Sequence, residues 1–200
     1  MSSQKRKYAL KARAEKQVET RRRIVEATSA LHEEVGPVRT TVAEIARRAG
    51  VSRLTVYNNF PDEMELFAAC GDHSLAQNPL PDPSAAFAID NPAERLRAVL
   101  RPFYIWYRKN ARATENLQRD RLVIPALDAV MRIRIDQQVA HLADALAAGF
   151  TPAARSAKGL RAAVALALDF WTWRRLAGEG MSDDDAAALM VGAVKAADHD

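Results

Sequence analysis

The stretch TTVAEIARRAGVSRLTVYNNFPDEMELFAA, residues 40–69, decides the fold. Thr41 stands where a helix would be capped, with Glu44 three residues on in capping-box spacing, and the helix it opens runs through Arg48. Gly50 breaks that helix. Ser52 caps a second short one, which Phe60–Pro61 closes, and Asp62 with Glu65 opens a longer helix to about Ala76. Short helices at 41–48 and 52–59 joined by a tight glycine turn predict a helix-turn-helix. Its spacing is specific: Ala46 is small where the second helix must approach the first. Gly50 can take the positive φ of the sharp turn, and Ile45, Val51 and Val56 fill the space between the helices. Arg53, Thr55, Tyr57, Asn58 and Asn59 are then left on the outside, and their side chains suit phosphates and base edges. An ordinary helix hairpin would use the same turn.

Charge helps to choose between the two. The 200 residues carry a net charge of +4, but residues 1–60 hold thirteen Lys/Arg against six Glu, and the remainder is mildly acidic. A basic front suggests a polyanionic partner, either nucleic acid or an anionic membrane surface. The arm from Lys5-Arg6-Lys7 to Arg21-Arg22-Arg23 contributes most of it. Residues 1–10 read as a solubilising tail. Arg21, Arg22 and Arg23, on the helix leading into the motif, read as phosphate contacts.

Outward from the motif the chain is helical throughout. A first helix is expected from about Ala14 to Val35, with Ile24, Ala27, Leu31 and Val35 at helical spacing and Gly36–Pro37 as its stop. Four of the nine prolines fall between positions 79 and 92, which marks a linker. Asn91–Pro92 then opens a helix to about Asn110, with a kink expected at Pro102. A short segment at 113–120 follows, then a helix over about 122–147. Another is expected from Thr151–Pro152 to about Ala177, and Ser182 caps the last. The organisation expected is an arm at 1–19, a helix-turn-helix domain at 20–76, a proline-rich linker at 77–91 and a helical domain at 92–200.

Residues 20–70 resemble the DNA-binding domain of the TetR family of transcriptional regulators, through Thr41, Ile45-Ala46, Ala49-Gly50-Val51-Ser52, Thr55-Val56-Tyr57 and Phe60. The resemblance implies an all-α chain, with an N-terminal helix-turn-helix DNA-binding domain followed by a helical ligand-binding and dimerisation domain. It implies a homodimer on a palindromic DNA operator, with the second motif helix in the major groove and a small-molecule effector. The DNA-binding set is then Thr41, Ser52, Arg53, Leu54, Thr55, Tyr57, Asn58 and Asn59, with Thr41 and Tyr57 on phosphate. Leu54, where the family often has a small residue, would meet a thymine methyl. Glu63 stands where the family favours a phosphate-binding lysine.

In the second part, aromatics gather at Phe103, Tyr104, Trp106 and Tyr107 and again at Phe170, Trp171 and Trp173. Phe103, Tyr104, Tyr107, Met131, Asp169, Phe170 and Trp173 form the candidate effector site, with Tyr104 and Tyr107 as polar handles. Each ring fits plain core packing equally well, and Asp169 would more often pair with an arginine or face solvent. Alanine-rich faces around 160–168 and 186–194 suit two helices of a dimeric bundle.

Competing classes find little support. The histidines at 32, 73, 141 and 199 have no ligand spacing, and neither a nucleophile elbow nor a phosphate loop occurs, so no enzyme, metal or cofactor is expected. A single cysteine, Cys70, and the lack of an apolar run behind the basic N-terminus point to a reducing, cytoplasmic setting. No apolar run is long enough for a membrane span. The alternative readings are an architectural or nonspecific DNA-binding protein without an effector and, behind it, a helical enzyme with a DNA-binding head.

Overall fold

The computed structural model describes residues 2–150 and 157–199, and among them every regular element is helical. In chain order these are α1 Ser2–Glu34, α2 Val42–Ala49, α3 Arg53–Asn59, α4 Glu63–Gln77, α5 Pro92–Lys109, α6 Ala111–Asp120, α7 Pro125–Met131, α8 Gln137–Ala147, α9 Ala157–Leu168, α10 Phe170–Gly178 and α11 Asp183–His199. A π turn, Arg132–Asp136, leads into α8. The expected helix start at Thr151–Pro152 lies outside the described residues. Two compact units emerge. The first, here the head, is Met1–Pro79 with Glu115–Val130; the second, the body, is Leu80–Thr114 with Met131–Asp200.

Caps fall largely where the sequence places them. The Thr41 hydroxyl accepts from Glu44 N at 3.2 Å, Ser52 Oγ from Thr55 N at 3.0 Å and Asp62 Oδ1 from Met64 N at 2.9 Å. Asn91 Oδ1 accepts from Ala93 N and Glu94 N, with Pro92 at the first helical position. Ser182 Oγ accepts from Asp185 N. The capping box at Thr41 does not close, because the Glu44 carboxylate turns instead to Arg47 and Arg48. These two guanidinium groups hold the Glu44 carboxyl down at about 2. Two other expectations change. α1 begins at Ser2 rather than near Ala14, and the helix expected to reach Ala177 is broken at Asp169. There the Asp169 carboxylate accepts from Thr172 N at 2.9 Å and caps α10 as a separate helix.

The core of the head is small: Ile24, Val25, Ala27, Leu31, Ile45, Ala46, Ala49, Val56, Phe60 and Cys70 are buried together, with Val51 packed against them. Gly50 adopts φ 62°, ψ 43°, the left-handed conformation that ends α2. A side chain there would also meet the Arg23 guanidinium at 2.5 Å. That guanidinium donates to the Ala49 and Gly50 carbonyls, at the C-terminal end of α2 where carbonyls lack helical partners. Arg21 donates to Asn59 O at 2.6 Å and to Glu65 at 2.6 Å and lies over the Phe60 ring; Arg22 bonds Glu19 and Glu26. Of the three arginines read from the sequence as phosphate contacts, Arg21 therefore ties α1 to α3 and α4, Arg23 ties it to α2, and Arg22 pairs within α1.

Polar side chains from 115–130 complete the head. Asn116 Nδ2 donates to the His32 and Glu33 carbonyls at 3.1 and 2.9 Å, and the buried Asp120 carboxylate accepts from Val38 N at 2.9 Å and Arg119 Nε at 2.6 Å. Gly36, at φ 88°, lets the chain pass this carboxylate, since a Cβ there would lie 2.6 Å from it. His32, stacked on Phe67, is buried beside it. Burial pulls the imidazole down to about 4, against the opposing attraction of the Asp120 charge.

The body packs α5, α8, α9, α10 and α11 around one apolar core that includes Leu96, Leu100, Tyr104, Leu160, Val164, Leu168 and Val194. α11 lies against α9 and α5, and α9 against α8. On its rim Arg108 bonds Asp183, whose carboxylate also accepts from Trp173 Nε1 at 3.0 Å.

Two outcomes follow. Gly50→Ala forces an L side chain into φ 62° and against the arginine that ties off α2; unfolding stability is expected to drop by about 1–2 kcal/mol in urea denaturation. For His32, the folded value near 4 lies below the unfolded 6.5. The unfolded chain therefore binds more protons between these values. Stability present above about pH 6.5 is lost as the pH falls toward 4, by up to about 1.4 kcal/mol per pH unit. Urea midpoints at pH 7 and pH 5 should differ less in His32→Phe than in the parent chain.

Candidate nucleic-acid interface and effector site

α3 is amphipathic over only seven residues. Val56 points inward and is buried, which places Arg53, Leu54, Tyr57 and Asn58 on the outside, all exposed. An exposed leucine and tyrosine one turn apart are unusual for a surface that meets only water: Leu54 is 67% and Tyr57 56% accessible. Thr55 and Asn59 are half-buried. Asn59 Nδ2 donates to Thr55 O at 2.8 Å, and the Ser52 and Thr55 hydroxyls lie 2.8 Å apart. Thr41 is exposed at the start of α2, its oxygen accepting the capping bond. Glu63 is exposed at the start of α4.

A groove runs between α3 and α1. Thr55, Asn58 and Asn59 line one side, and Arg13, Lys16, Gln17 and Thr20 the other. The four α1 residues were absent from the candidate set read off the sequence. Their spacing of three, four and seven is the signal for one helix face: Lys16, Gln17 and Thr20 fall within the helix expected from Ala14, and the earlier start of α1 adds Arg13.

In the body, five of the seven candidate effector residues meet around one ring. The Tyr107 ring centroid lies 6.5 Å from Phe103, 6.4 Å from Tyr104, 5.5 Å from Phe170 and 5.8 Å from Trp173. All five are buried. The Tyr104 hydroxyl donates to Ala167 O at 2.7 Å and that of Tyr107 to Leu168 O at 2.8 Å. These are the last carbonyls of α9, left without helical partners by the break at Asp169. Burial pushes both phenols' titration upward and so disfavours their ionised form, which keeps them neutral donors. Asp169, half-buried, is the cap of α10 described above; Met131 is buried at the end of α7.

Among the described residues no cluster of three His, Cys, Asp or Glu is placed to hold a metal, and no helix is long and apolar enough to cross a membrane. Cys70 is buried, and burial lifts its thiol to about 11.

Residues 24–70 match the family model described as bacterial regulatory proteins, tetR family. Uncharacterized HTH-type transcriptional regulators of Mycobacterium tuberculosis and Mycobacterium bovis are 49% identical over 47 residues, 24% of this chain. The match spans a quarter of the length of these relatives. Among solved structures, a TetR-like transcriptional regulator from Rhodococcus sp. RHA1 is similar at TM-score 0.60 and 21% identity, over 88% of this chain and 93% of that one. A TetR transcription regulator from Haloarcula marismortui is similar at TM-score 0.56 and 16% identity, over 90% and 97%. The motif relates the head to the curated regulators, and the likeness in fold extends over both units. The helix-turn-helix of residues 24–70 is thus that of the tetR family of bacterial regulatory proteins, and the chain as a whole shares its all-helical fold with TetR-like regulators.

Proposed function

We propose that the chain is a ligand-responsive transcriptional repressor that binds a palindromic operator as a homodimer and is released by a small-molecule effector. The observation that carries this reading is the outer face of α3, where Arg53, Leu54, Tyr57 and Asn58 are exposed on a helix held rigidly by Val56 and the Gly50 turn. In the proposal α3 enters the major groove. Thr41, Ser52 and Tyr57 hold phosphates, Arg53, Thr55, Asn58 and Asn59 face bases or adjoining phosphates, and Leu54 packs on a thymine methyl. Two copies place two such helices about 34–36 Å apart, one helical turn of DNA. The second copy covers α9 and α11, which carry exposed Leu166 and Leu189 on the side away from the body's core.

The effector acts in the body, at the ring cluster of Phe103, Tyr104, Tyr107, Phe170 and Trp173 with Met131 and Asp169. An aromatic or otherwise apolar ligand suits those rings. The Tyr104 and Tyr107 hydroxyls, now on the α9 carbonyls, are the donors it would compete for. Release follows if the effector binds better to a form of the dimer whose recognition helices no longer match the operator.

Selection from random duplexes should recover an inverted repeat with half-site centres one helical turn apart; recovery of no consensus would refute the proposal in favour of an architectural role. Tyr57→Phe is expected to weaken binding about 3- to 10-fold on every duplex, as loss of one phosphate hydrogen bond. Asn58→Ala is expected to relax preference at one position in each half-site, read by fluorescence anisotropy on singly substituted duplexes.

A further inference from the structure

Much of the positive charge of the head is already engaged within it. Arg21, Arg22, Arg23, Arg47 and Arg48 are all engaged internally, on Glu65, on Glu19 and Glu26, on the end of α2, on Glu44, and on Glu34 and Glu44. Among the described residues, Arg13 and Lys16 pair with no carboxylate, and both are exposed. Together with Gln17 and Thr20 they form one stripe along α1, and that stripe is the far wall of the groove beside Thr55, Asn58 and Asn59. Every side chain lining this groove is a hydrogen-bond donor, and none is a carboxylate. The nearby acids of α1, Glu15 and Glu19, fall on other faces of the helix, where Glu15 meets Lys11 and Glu19 meets Arg22.

A donor-lined, cation-edged groove running alongside a recognition helix is built for a polyanion, and the polyanion already beside α3 is DNA. We infer that the Arg13–Lys16 stripe of α1 is a second DNA-contacting element, which holds the sugar-phosphate backbone of the same duplex that α3 reads, flanking the half-site. This rests on the DNA-binding reading above and extends the footprint of each protomer beyond the helix-turn-helix. The stripe touches phosphates and carries no base specificity, because a long flexible cation in solvent fixes no single base edge. It also supplies attraction at the edge of the interface, where Glu63 contributes a negative charge instead of a positive one.

Full-length Arg13→Gln/Lys16→Gln tests it, titrated on a selected operator duplex and on an unrelated duplex over a range of salt. The slope of log Kobs against log[salt] is expected to be shallower by about 1.8 per bound protomer, since each neutralised phosphate contributes about 0.9. Both duplexes should lose affinity by a similar factor, with the base preference unchanged. Lys11→Gln, on the opposite side of α1, should leave the slope as it is. A slope unchanged in the double variant, while the parent chain binds normally, would overturn the inference and leave the helix-turn-helix reading intact. A change in base preference without a change in slope would also overturn it. A parent chain that binds neither duplex would overturn both. The substituted side chains are exposed, so an unaltered helical circular-dichroism signal and thermal midpoint confirm that the variant is folded.

Discussion

The surface that the head presents depends on how closely α3 is drawn against α2. A seven-residue helix has too few apolar contacts to stand alone, so its orientation is set by what it leans on. Here that support is a short list: the small side chain of Ala46, the left-handed Gly50, the inward Val56, and Arg23 reaching from α1 to the last carbonyls of α2. Because Val56 is buried, the residues around it have no choice of face. Arg53, Leu54, Tyr57 and Asn58 point outward by helical geometry, and no separate interaction is needed to place them.

Electrostatics in the head serve two ends. Arg21, Arg23 and Arg48 act as clamps between helices, each on a carboxylate or a helix end, while Arg22 and Arg47 pair within their own helices; the ion pairs are largely exposed and individually weak. Their positions matter more than their energies, since they join α1 to α2 and α4 at points distant in sequence. Among the described residues, the cations of residues 1–60 that meet no carboxylate are Arg13 and Lys16, where α1 passes α3, with Arg53 on α3, Arg39, and Arg23 on the end of α2. Pairing leaves the net charge of residues 1–60 as it is and decides which side chains carry the excess.

Much of this was legible in the sequence. The helix-turn-helix, its caps at Thr41 and Ser52, the glycine turn, the inward Val56 and the clustering of Phe103, Tyr104, Tyr107, Phe170 and Trp173 all follow from spacing and residue type. Other features were not, for identifiable reasons. Arg21, Arg22 and Arg23 look alike as a basic run, and only their three-dimensional surroundings show that their partners are Asn59 O, Glu65, Glu19, Glu26 and the end of α2. Asp169 reads as an acid stranded among apolar residues. Its role as a cap depends on a chain break that no proline or glycine announces. The start of α1 was missed because polar, charged sequence carries no apolar stripe, although alanine, lysine, arginine and glutamate are sound helix formers. Asn116 and Asp120 belong to the short segment at 113–120, whose polar side chains give no sign of burial, yet both are buried in the head.

That last pair bears on how the molecule comes to be made. Val38 N finds its acceptor eighty-two positions later in the chain, on Asp120, and the His32 carbonyl finds its donor eighty-four positions later, on Asn116. A nascent chain that has emerged only as far as the proline-rich stretch thus holds a head with one wall missing and polar backbone groups still in want of partners. The helix-turn-helix can nucleate early from local contacts, but its final tightening waits for residues from beyond α5. A fragment cut at the prolines would look self-contained on paper and lack the side chains that close it.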